Sequence, residues 1–71
     1  MHSHVELCRE YSIAFRAKLL NRKMTSDLKR TLEECEKNLD IFNLIMIRQR
    51  IHLEVINLLL EHRLIISPEQ T

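Results

Sequence analysis

Few side chains in this 71-residue chain have types and spacings that could support chemistry. His2, His4 and Cys8 form an H-x-H-x3-C pattern close to the first residue, but no second ligand pair follows at structural-zinc spacing. Cys8 and Cys35 are the two cysteines, and neither has a histidine and acid or amide beside it that would activate a nucleophile. His52 and His62 stand among arginines and glutamates and read as solvated or interface residues. Glu33, Glu34 and Glu36 could act as an acid/base pair only inside a pocket, and their spacing fits a solvated helix face. A phosphate-cradling loop needs glycine, and the chain has none. The expectation is a non-enzymatic chain with no cofactor and no metal.

One further cluster is basic. Arg16, Lys18, Arg22, Lys23, Lys29 and Arg30 are offset only by Asp27. Such a cluster can contact phosphates. Charges of mostly opposite sign follow at once from Glu33 to Asp40, and no stacking or base-reading residues are interleaved. The cluster therefore reads first as the solvated end of a helix. A homodimeric regulator touching nucleic acid through Arg22, Lys23, Lys29 and Arg30 is the alternative function.

What must position these residues is helical. With no glycine, and one proline at Pro68, tight turns that need positive φ are costly. Leu, Glu, Lys and Arg dominate, and all favour helix. A net charge of +1 gives no global field toward nucleic acid or membrane. The longest uncharged stretch in the apolar region, Ile41 to Ile47, falls far short of the ~20 residues of a membrane span. The cysteines fall at core-like positions and no secretory signal is visible, so both are expected as buried thiols in the cytoplasm.

A single α-helical domain over residues 1–71 is predicted, built as an antiparallel hairpin. The first helix covers about 3–23, opened by Ser3 with Glu6 as a capping box. Leu7, Tyr11 and Ala14 form its main apolar face, and Ile13, Ala17, Leu20 and Met24 form a weaker strip. Thr25-Ser26-Asp27 supplies an N-cap and a first-turn acid for a long helix over about 26–66, ended by Ser67-Pro68. Its apolar residues Leu28, Leu32, Cys35, Leu39, Phe42, Met46, Leu53, Ile56 and Leu60, with the polar Gln49, alternate by fours and threes as a heptad seam. Past Ile41 a second stripe joins it, including Ile45, Ile51, Val55 and Leu59.

The two helices are mismatched. At 1.5 Å per residue the first is about 30 Å long and the second about 60 Å. The two-sided apolar half beyond Ile47 would project uncovered. Six exposed aliphatic side chains would forfeit roughly 1.5–3 kcal/mol each. That loss is comparable to the whole stability of a small domain. The hairpin is therefore expected to be completed by dimerisation or by a partner protein. Phe42, Met46, Leu53, Ile56 and Leu60 are the candidate anchors, with Ile45, Val55 and Leu59 beside them. A break near Asn38-Leu39-Asp40 would instead let three shorter helices pack together.

A short glycine-free hairpin with an over-apolar second helix resembles the small co-chaperones of type III secretion needle subunits. The resemblance rests on chain length, layout and the run Val55 to Ile66, which is followed by a polar tail. It implies a tetratricopeptide-like chaperone as partner, with the pair holding a needle subunit soluble in the cytoplasm. The function expected is that of an adaptor or co-chaperone subunit working by protein–protein association.

Overall fold

The computed structural model describes residues 3–20 and 23–62, which form three helices and, among them, no strand. The first, α1 (His4–Leu19), opens where Ser3 turns extended and its Oγ accepts the Glu6 amide at 3.2 Å. That bond satisfies one of the donors a helix start leaves unpaired. Arg16 and Lys18 occupy the last turn, where their charge complements the helix dipole. The helix ends at Leu19, short of the expected Lys23. The physical reason is chain reversal: α2 begins at Ser26 and runs back along α1.

Helix α2 (Ser26–Asn38) begins as its sequence predicts. Thr25 is the N-cap, its side chain accepting the Leu28 amide at 3.2 Å, and Asp27 lies in the first turn. The expected single helix over 26–66 is corrected to two helices, divided at residues 39 and 40. Leu39 (φ −94°, ψ 142°) and Asp40 (φ −71°, ψ 159°) are both extended, and α3 (Ile41–Glu61) starts after them. The stretch beyond His62, including Ser67-Pro68, lies outside the described residues.

This break needs neither glycine nor proline, because its own side chains stabilise both ends. The Asn38 side chain turns back to donate to the Glu34 carbonyl at 2.7 Å, and the Leu39 amide donates at 2.8 Å to the Cys35 carbonyl, one of the four that a helix end leaves over. Asp40 takes the N-cap position of α3, and its carboxylate accepts from the Asn43 side chain. Leu39 and Leu44 stand immediately before that cap and at its fourth helical position. Both are 5% exposed in the same cluster, the placement of a hydrophobic staple.

Side-chain pairings define the topology. Leu7 in the first turn of α1 meets Cys35 near the end of α2, and Lys18 at the other end of α1 lines one depression with Met24 and Lys29 at the start of α2, so these helices are antiparallel. Asn43, Arg48, Arg50 and Glu54 meet His4, Tyr11, Ser12 and Arg16 in turn, so α3 runs parallel to α1. The order is up-down-up with α1 in the middle, since α1 packs on both neighbours while α2 and α3 barely touch. The core gathers Tyr11, Ala14 and Phe15 from α1 with Leu32 and Cys35 from α2, and Leu44, Ile47, Ile51 and Val55 from α3. Chain reversal at Leu39-Asp40 thus buries part of the apolar excess that a straight helix would have left in water.

Candidate functional site

The break also rotates the seam. In α2 the heptad positions Leu32 and Cys35 are buried, and Leu39 remains buried at the junction. In α3 the inward positions become Leu44, Ile47, Ile51 and Val55, one face away from the predicted continuation. Phe42, Met46, Leu53, Ile56 and Leu60 are exposed instead, from 68% for Phe42 to 37% for Leu60, together with Ile45. At 3.6 residues per turn these six and the exposed Gln49 lie along one side of α3, opposite the buried face.

Six of the eight expected interface residues therefore share one outward stripe. Val55 does not: it is 7% exposed in the core, and its place at an interface is corrected. Leu59 is half-buried and packs against the core cluster. The distinction arises because the two apolar stripes face opposite ways once α1 has chosen one of them.

The stripe carries no charged residue. Asn43, Arg50, Glu54, Asn57 and Glu61 form a polar strip along one edge. Arg50 donates to the Ser12 hydroxyl at 2.8 Å, and Arg16 pairs with Glu54, so α1 anchors this edge. The bond from Arg16 holds the Glu54 carboxyl below its ordinary value and raises the guanidinium in turn. Near the other edge, His52 meets Phe15 edge-on at 5.3 Å, and its ring is fixed 2.8 Å from the Arg48 carbonyl. An apolar strip framed by ordered polar groups has the anatomy of an association surface.

The other candidates are scattered. His4 lies 3.9 Å from the Cys8 thiol and 3.1 Å from the Asn43 side-chain nitrogen. His2 lies outside the described residues, and among those described no three histidine, cysteine or acidic side chains gather as a metal site. Cys8 and Cys35 are both free thiols. Burial and then nearby Glu10 push the Cys35 thiol up, and its Sγ donates to the Leu7 carbonyl at 3.6 Å. Glu36 is tied to Arg48 at 3.3 Å, and the structure does not unite it with Glu33 and Glu34 in a pocket closed to water.

In the basic cluster, Lys23, Lys29 and Arg30 are exposed, while Arg22 lies outside the described residues. Arg30 pairs with Asp27 at 3.8 Å, and Lys18 and Lys29 share a shallow depression with Glu33 and Glu36. The aromatic rings lie elsewhere: Tyr11 and Phe15 in the core, Phe42 on the stripe. The cluster thus has charge compensation and no stacking platform.

No protein-family model matches the chain, and no solved structure gives a significant match. Two curated proteins are similar to it. Intermembrane lipid transfer protein VPS13C of Mus musculus is 34% identical over 55 residues, which is 78% of this chain and 2% of that protein. The Homo sapiens protein of the same name is 38% identical over 53 residues, 75% of this chain and 1% of that protein. The chain therefore spans only a small part of the length of these relatives. The comparisons neither favour nor oppose the resemblance to needle-subunit co-chaperones.

Proposed function

We propose that this chain is a helical association module, an adaptor or co-chaperone subunit that works by laying the outward stripe of α3 against another protein. One observation carries this reading: among the described residues, Phe42, Ile45, Met46, Leu53, Ile56 and Leu60 stay exposed on one side of α3 while Leu44, Ile47, Ile51 and Val55 are buried on the other. A contiguous apolar strip of this kind on a small domain usually marks an interaction site. The cover is another protein chain, a partner or a second copy. The two unbridged thiols suit a reducing compartment and support a cytoplasmic setting for the module. No helix among the described residues is long and apolar enough to cross a membrane. Similarity to a segment of an intermembrane lipid transfer protein supports a setting in which the module joins machinery that moves lipid between membranes.

The test is a comparative capture of the tagged chain from its native cells. Wild type and Lys29→Glu/Arg30→Glu should retain the same protein, and Leu53→Asp/Ile56→Asp should lose it while keeping its helical circular dichroism. A partner retained undiminished by the stripe variant would overturn the reading.

A further inference from the structure

We infer that the stripe is covered by a second copy of this chain, with the two α3 helices antiparallel and Gln49 beside the two-fold axis. The inference rests on the association-module reading and specifies its occupant. The seam positions of the stripe, Phe42, Met46, Gln49, Leu53, Ile56 and Leu60, are spaced four, three, four, three, four. That spacing reads the same in both directions. When a second α3 is turned end for end about the midpoint at Ile51, every seam residue meets a seam residue. Phe42 lies opposite Leu60 of the other copy, Met46 opposite Ile56, and Gln49 opposite Leu53. Larger side chains thus face smaller ones at both ends of an overlap of about 27 Å. A shift of one heptad in either direction leaves two seam residues of each α3 with no seam residue of the other α3 opposite.

The surroundings allow this approach. The stripe lies on the side of α3 opposite its buried face, so neither α1 nor α2 stands between the two copies. Antiparallel helices also oppose their dipoles favourably. The two Arg50 guanidinium groups near the axis are each turned back to a Ser12 hydroxyl of their own chain. The two Gln49 amides lie about one helical turn apart, within reach of each other's hydrogen bonds. A single polar residue in an apolar seam is a known means of setting register. An isologous two-fold contact is the commonest way such a face is closed.

The experiment uses the full chain. Sedimentation velocity at micromolar concentration should give twice the 8.6 kDa chain mass. Leu53→Asp should return it to the monomer mass with its helical circular dichroism retained. Register is read separately, in a Cys8→Ala background that leaves buried Cys35 in place. Under mild oxidation, Phe42→Cys chains mixed with Leu60→Cys chains should cross-link to each other, and Phe42→Cys alone should not. A wild-type chain sedimenting at 8.6 kDa would overturn the dimer. Self-cross-linking of Phe42→Cys would overturn the antiparallel register. A monomer that still loses a captured protein through Leu53→Asp/Ile56→Asp would overturn the second copy and leave the association reading standing. A monomer whose captured proteins ignore that substitution would overturn both.

Discussion

Arg48 of α3 donates its Nε hydrogen to the hydroxyl of Tyr11 at 2.7 Å, across the middle of the three-helix layer. The same guanidinium reaches Glu36 of α2 at 3.3 Å, and the Tyr11 hydroxyl donates toward that carboxylate at 3.5 Å. Three helices that share little direct α2–α3 packing are thereby tied through one phenol. Tyr11 is fully buried, so its hydroxyl needs partners, and Arg48 and Glu36 supply them. The phenol and then Glu36 in turn hold the guanidinium above its ordinary value.

Tyr11→Phe keeps the ring and removes the junction. The expected loss is about 1–2 kcal/mol, because charged partners strengthen these bonds and both partners keep some access to water. In a domain of this size, each 1 kcal/mol lowers the melting temperature by about 4–8 °C. Thermal unfolding followed by circular dichroism reads it directly, and an unchanged melting temperature would remove the clasp from the stabilising interactions.

Two caps of different construction should respond differently. Thr25→Ala removes a side-chain bond to a helix donor and should cost about 1 kcal/mol. Asp40 makes no such bond to the backbone, so Asp40→Ala should cost less, mainly the dipole contribution of about 0.3–1 kcal/mol. Urea midpoints of the two variants, compared at one pH, decide the order.

The two apolar faces of α3 separate folding from association. Ile51 is fully buried, and Ile51→Ala should destabilise the fold by about 2–5 kcal/mol. Leu53 is 63% exposed, so Leu53→Ala should shift the stability of the isolated fold by no more than about 0.5 kcal/mol while weakening assembly. Denaturant titrations run on the monomeric Ile56→Asp background distinguish the two. Equal losses at the two positions would contradict the burial pattern.

Acid should loosen the Arg16–Glu54 pair. The folded Glu54 carboxyl lies below its ordinary 4.5, so the pair's contribution is complete above that value. It is lost as pH falls through the lower folded value, because the unfolded chain then binds the proton first. Glu54 is half-exposed, so the effect is modest and screened by salt. Urea midpoints measured across the acid limb should fall less steeply for Glu54→Gln than for wild type.

Thiol reagents should discriminate between the cysteines. Cys8 is half-buried and Cys35 is buried with its thiol pushed up, which leaves little thiolate near neutral pH. Labelling in native buffer should therefore modify Cys8 first. Cys35 should follow only at the rate of unfolding, and equal native rates at both positions would show that the core opens freely.

The helical class, the Ser3 and Thr25 caps and the burial of Leu32, Cys35 and Leu39 were all legible in residue types and spacing. Local chemistry decides them: a hydroxyl at a helix start, acids in a first turn, and apolar residues every three or four positions. The break was legible in part, since Asp40 with Asn43 forms a cap and Leu39 with Leu44 forms a staple. Its signal was masked because the four-three apolar rhythm passes through Leu39 without interruption, and no glycine or proline marks the site. The Tyr11–Arg48 junction could not be read at all, because it joins residues 37 positions apart in sequence.

From the sequence alone, then, it followed that the chain is helical and carries more apolar surface than a two-helix hairpin can hide. Which part of that surface is hidden was a tertiary outcome. Extended backbone at Leu39 and Asp40 turned α3 back along α1, and the exposed faces of that one helix then competed for α1. Leu44, Ile47, Ile51 and Val55 took the contact because close packing against Tyr11, Ala14 and Phe15 can bury only one side of a cylinder. The opposite side, from Phe42 to Leu60, was left outward, and its residues acquired their candidate role only by that exclusion.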